Sequence, residues 1–195
     1  GDIRLAIEGL KRGVTSLPQH TALRVELISY YQREKELANA LDATNTGLEQ
    51  QPDNLFFLIQ RGRMLTALKK LDQGEEVFKS IIEKHPEESV GYVELGGLKR
   101  VAGEHRQAIG LFEKALHLKD GKATAPTLLV ETYLATKQEK KAEAFCKKML
   151  KENPENAFLL ASLGFMHLKQ GKYHDAENQF KAAIEACLHC HTLRY

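Results

Sequence analysis

The chain has 195 residues, 43% hydrophobic and 28% charged, and its 28 Lys and Arg against 26 Asp and Glu leave a net charge of +2. This is an ordinary globular balance, and it excludes a generic basic nucleic-acid binder, which needs excess positive charge against phosphate. With five Pro, no Trp and no apolar run near the ~20 residues of a bilayer span, Pro-rich, acidic-tail and membrane-spanning readings also drop out.

Along the chain the prolines keep a beat. Pro18, Pro52 and Pro86 are evenly spaced, and Pro154 stands two such steps beyond Pro86, with Asp120 at the midpoint. Only Pro126 is out of phase. Proline lacks a backbone donor and clashes with the preceding turn, so regular prolines mark regular helix breaks. Packing residues follow the same beat. Ala6, Ala40, Gly74, Ala108, Ala142 and Ala176 form a small-residue series. One helical turn further on, Phe78, Phe112 and Phe180 form a ring series in which Cys146 takes one place and is expected in the core. Val14, Leu48, Ile82, Leu116, Leu150 and Ile184 form an aliphatic series. A small residue lets two helix backbones approach, and a ring fills the adjoining space. In the last unit Phe158, Leu160, Leu163, Met166 and Leu168 mark one amphipathic helix, Gly171-Lys172 a turn, and Tyr173, Ala176, Phe180, Ala183 and Ile184 a second helix. No segment alternates with period 2, so no strands are expected.

This pattern resembles the tetratricopeptide repeat (TPR), a 34-residue helix–turn–helix unit. Leu95-Gly96, Ala108, Phe112 and Ala115 carry the resemblance in one unit, and Leu163-Gly164, Ala176, Phe180 and Ala183 in another. The implied fold is all-α, a right-handed α-solenoid of about five and a half repeats. Residues 1–20 read as the second helix of a preceding repeat. Whole repeats follow at 21–54, 55–88, 89–122, 123–156 and 157–190, and 191–195 form a stub. The opening Gly1-Asp2-Ile3, without Met, gives the expectation of a section from a longer solenoid. There are departures from the pattern. Lys99 and His167 take the position held by Tyr31 and Tyr133, and Arg61 stands where Leu95 stands. The stems of Arg61 and Lys99 are expected to cover apolar surface while their charges reach water. Pro126 is expected in the opening turn of its helix, where Pro is tolerated.

The resemblance implies that first helices line a concave face binding a protein or peptide segment. The residues it places there are Phe56, Ile59, Arg63 and Thr66; Val90, Val93, Gly97 and Arg100; Thr127, Glu131 and Leu134; and Phe158, Ala161, Phe165 and Leu168. Val25 and Ser29, then Ile59 and Arg63, stand where the family's carboxylate-clamp members carry Lys and Asn, so the clamp pattern is absent. The expected ligand is partly apolar, with a carboxylate for Arg63 or Arg100. The competing reading packs Phe56 and Phe158 between repeats and leaves both arginines solvated.

Cys187-Leu188-His189-Cys190-His191 matches C-x-x-C-H, the c-type haem attachment pattern. Two thioethers would form at Cys187 and Cys190, with His191 as axial ligand, which would make the chain an exported electron-transfer protein. The alternatives are half of a zinc site and two incidental thiols at a helix end. No cofactor or metal is expected under the scaffold reading. No phosphate-binding Gly loop, nucleophile elbow or H-E-x-x-H occurs, so an enzyme is not expected. Self-association through terminal repeats without polar caps is a further reading.

Overall fold

The computed structural model describes residues 3–192, with side chains through Leu188. Every regular element among them is helical. The chain forms two compact units that meet in sequence at Glu104 and His105. The first holds α1 (Ile3–Ser16), α2 (Thr21–Arg33), α3 (Leu37–Gln50), α4 (Leu55–Ala67), α5 (Leu71–Lys84) and α6 (Ser89–Val101). The second holds α7 (His105–Leu116), a 3-10 turn (Gly121–Ala123), α8 (Ala125–Ala135), α9 (Glu139–Glu152), α10 (Ala157–Lys169) and α11 (Tyr173–Thr192). Within each unit every helix packs on its neighbours in sequence, giving a stack of helix hairpins.

The turns inside the hairpins repeat as closely as the prolines do. Lys35, Lys69, Gly103, Lys137 and Gly171 all have positive φ, between 58° and 80°, and stand one repeat length apart. At each, the next residue's N–H returns to the helix carbonyl five positions back. Glu36 bonds Tyr31 at 2.8 Å, Lys70 bonds Leu65 at 2.8 Å and Gln138 bonds Tyr133 at 2.8 Å. This is the helix-ending motif that glycine serves best, because a side chain in the left-handed region costs about 1–2 kcal/mol. Three of the five turns carry lysine instead. Lys69→Gly is therefore expected to stabilise the chain by about 1 kcal/mol and raise Tm by about 2–4 °C, read in a thermal melt.

Helix starts are also cut to the beat. Asn54 Oδ1 accepts from Phe57 N at 3.3 Å, and Asn156 Oδ1 accepts from Leu159 N at 3.1 Å, capping α4 and α10. Pro126 explains the irregular connection. Proline fits only the first turn of a helix, and it stands there in α8, so the helix starts at Ala125. Residues 117–124 bridge the gap, with the 3-10 turn inside.

The cores are those the small and large series describe. Leu27, Ile28, Tyr31, Ala40, Ala43, Phe57 and Met64 cluster in the first unit. Ala108, Phe112, Leu129, Tyr133, Ala142, Cys146, Leu163 and Met166 belong to the core of the second. Cys146 is fully buried, and burial pushes its thiol up to about 12, so it packs as a small apolar group.

Candidate functional site

The residues expected to line a groove in the first unit lie on α4 and α6. Phe56, Ile59 and Val93 are half-buried, and the Phe56 ring meets Phe57 edge-on at 5.6 Å between centroids. Arg63 is not free for a ligand. Its Nε donates to Glu94 Oε2 at 2.9 Å, and its Nη2 contacts Glu94 Oε1, a two-point pair between α4 and α6. This pair holds the Arg63 guanidinium protonated above its ordinary range, the hydrogen bond to Glu94 being the main cause. Beside it lies a pocket of about 390 Å³, lined by Thr66, Phe78, Gly97, Leu98 and Val101 as well as the ion pair. Val90, Gly97 and Arg100 are half-buried on α6.

The second unit presents a different surface. Thr127 and Leu134 are half-buried on α8, and Glu131 is exposed there. On α10, Phe158, Phe165 and Leu168 are 37%, 61% and 45% exposed. The opposite face of the same helix buries Leu159, Leu160, Leu163 and Met166. Helix α10 is thus apolar all round, with one face in the core and the other open. Phe165 leans edge-on against Phe180 of α11 at 5.0 Å between centroids, which fixes the ring in place. Ala161 lies between Phe158 and Phe165 along the helix, a low point in the stripe.

One departure from the repeat pattern resolves differently from the expectation. Lys99 does not reach water. Its side chain is buried, and its Nζ donates to Glu75 Oε2 at 2.7 Å and Glu104 Oε2 at 3.1 Å. The pairing keeps Lys99 protonated above its usual range and holds Glu75 below the usual carboxylate range, with Lys79 assisting. His167, two repeats on, stands at the matching place, with its Nε2 3.9 Å from Glu143 Oε1. Glu143 accepts from Lys147 at 2.6 Å and from Gln170 at 3.0 Å, and these bonds lower its pKa to about 2. The sequence carries a signal for this: Glu75 precedes Lys99 by the same interval at which Glu143 precedes His167.

Cys187 is exposed on α11 with a free thiol, and the backbone of the C-x-x-C-H segment is helical. The side chains of Cys190 and His191 lie outside the described part of the chain. The donors that could hold a metal ion among the described residues are His85, Glu87 and Glu88, whose ligand atoms lie within 4.8 Å of one another on the α5–α6 turn. No described helix is long and apolar enough to cross a membrane.

Repeating helix hairpins, each closed by a positive-φ turn at the same place in the repeat, define an α-helical repeat protein. Residues 102–164 match the model of the family described as Tetratricopeptide repeat. The fold is similar to a tetratricopeptide repeat protein from Parabacteroides merdae ATCC 43184, with TM-score 0.67 and 19% identity, covering 95% of this chain and 74% of that one. It is also similar to YrrB, described as a TPR protein with an unusual peptide-binding site, with TM-score 0.54 and 13% identity over 92% of this chain and 93% of that one. In sequence, 98 residues are 26% identical to the human Protein O-mannosyl-transferase TMTC1, which is 47% of this chain and 11% of that protein. The chain thus spans about a tenth of the curated relative it matches. The family match at residues 102–164 and the likeness in fold together support a tetratricopeptide-repeat protein.

Proposed function

We propose that the chain is a protein-interaction scaffold whose first helices present a mostly apolar groove to a protein or peptide segment. The observation that carries this reading is the open stripe Phe158, Phe165 and Leu168 on a helix whose other face is already fully used by the core. Two rings and a leucine left in water on one helix face are a contact surface in search of a partner. The likeness to YrrB, whose description includes a peptide-binding site, supports the same reading. The Arg63–Glu94 pair changes the expected ligand. A carboxylate reaches Arg63 only by displacing Glu94, so an acidic group is not required of the segment that the α10 stripe binds.

The test is selection of binding peptides from a displayed library on the intact chain, followed by titration of the selected peptides. Phe165→Ser with Leu168→Ser is expected to weaken the selected peptides about tenfold or more, while the far-ultraviolet circular dichroism is unchanged. Peptides that bind the double variant as well as the parent would remove the stripe from the function.

A further inference from the structure

A separate pocket lies in the second unit, between α7 and α9 with α8 as its floor, and it holds about 540 Å³. It shares no residue with the apolar stripe of α10. Three basic side chains line it: His105 and Arg106 from α7 and Lys141 from α9. Among the described residues neither Arg106 nor Lys141 has an ion pair or a side-chain hydrogen bond. His105 Nδ1 is buried without a hydrogen-bond partner.

The rest of the lining has another character. Glu113 stands two turns along α7 from His105, about 12 Å at 1.5 Å per residue. It accepts from Tyr133 Oη at 3.2 Å. Burial and the Glu113 charge raise the Tyr133 pKa, so the phenol keeps its proton and stays a donor. Thr136 and Gln138 add a hydroxyl and an amide, joined by a 2.8 Å hydrogen bond. The lining therefore carries two unpaired cations and an imidazole together with hydrogen-bonding groups, one carboxylate and the apolar Ile109.

An internal comparison sharpens this. The same gap three repeats earlier, between α1 and α3 over α2, holds about 370 Å³ and has Tyr31 at the position of Tyr133. There Lys11 stands where Glu113 does and Asn39 where Lys141 does. Lys11 lies over the Tyr31 ring at 5.8 Å from the centroid, so that cation already has an aromatic partner.

We propose that the pocket of the second unit binds a small phosphate monoester with a hydroxylated body, of the sugar-phosphate class. Two unpaired cations with an imidazole beside them match a dianion with three acceptor oxygens better than a carboxylate, which offers one charge and two oxygens. Glu113, Thr136 and Gln138 match hydroxyl groups, and the Glu113 charge repels a second phosphate there. The volume is that of a small-molecule site.

The experiment is titration of the full chain with glucose 6-phosphate, inorganic phosphate and glucose, followed by calorimetry and by amide NMR shifts. Glucose 6-phosphate is expected to saturate at millimolar concentration or below, with shifts centred on α7, α8 and α9. Arg106→Gln and Lys141→Gln are each expected to weaken it about tenfold, and Lys11→Gln to leave it unchanged. Glu113→Gln is expected to narrow the preference for glucose 6-phosphate over inorganic phosphate. The proposal is overturned by the absence of saturation at millimolar glucose 6-phosphate, or by binding that Arg106→Gln and Lys141→Gln leave intact. Inorganic phosphate binding as tightly as the sugar phosphate would overturn the hydroxylated body.

Discussion

Truncating Phe112 to alanine is expected to lower stability by about 3–5 kcal/mol, read by urea denaturation. The ring is fully buried among Ala108, Leu129, Val130 and Ala142. Alanine removes the largest apolar group of α7 and leaves a cavity that flanking helices can close only in part. Phe112→Leu is expected to cost about half as much, since it keeps most of the volume. The next repeat shows how the fold copes with a smaller group at this position. Cys146 replaces the ring, and the neighbouring Phe145 turns its own ring toward Tyr133 at 6.3 Å between centroids. A measured loss below about 1.5 kcal/mol for the alanine variant would mean that the second unit repacks freely, against the close packing of protein interiors.

Gly62→Ala is expected to destabilise by about 1–3 kcal/mol although it exchanges a poor helix former for the best one. At an open helical site the exchange gains up to about 1 kcal/mol. At Gly62 the added Cβ would lie 2.3 Å from Phe78 Cε1 and 2.5 Å from Cζ. The ring is buried and has nowhere to retreat, so the steric cost exceeds the propensity gain. Gly110→Ala is the matched control, because nothing lies within 4 Å of its Cβ position. Opposite signs for the two substitutions in the same denaturation assay are the expected result. Stabilisation by both would show that the α4–α5 contact is loose.

Much of this architecture is legible in the sequence because repetition turns weak local signals into a strong collective one. A single small residue one helical turn before a ring says little. Gly74 and Phe78, Ala108 and Phe112, and Ala176 and Phe180 say the same thing in register. Pro126 is readable too, because proline has one tolerable place in a helix. The hairpin turns are harder. Gly103 and Gly171 announce positive φ, but Lys35, Lys69 and Lys137 give no such sign, and only the backbone shows that they share the conformation. Lys99 departs from expectation because a buried lysine is rare, and its partners Glu75 and Glu104 come from two other places in the chain. The expected contact faces behave similarly. The faces of α4, α6 and α10 follow from periodicity, but that Glu94 engages Arg63 depends on side-chain reach between two helices. The open stripe on α10 is visible as an excess of apolar residues, although the sequence alone does not say which of them the core takes.

The hairpin turns also bear on how the chain acquires its shape. Each turn is closed by hydrogen bonds reaching back no more than five positions, and each asparagine cap by one reaching three. Within each unit, helices meet the helices next to them in sequence. Structure of this kind needs no distant segment to be found before a nearby one is rewarded, so the entropy of closing long loops is largely avoided. Folding can begin at any well-formed hairpin and spread to its neighbours, as order spreads along a one-dimensional lattice. A defect at one turn then delays its own neighbourhood and leaves distant hairpins able to form.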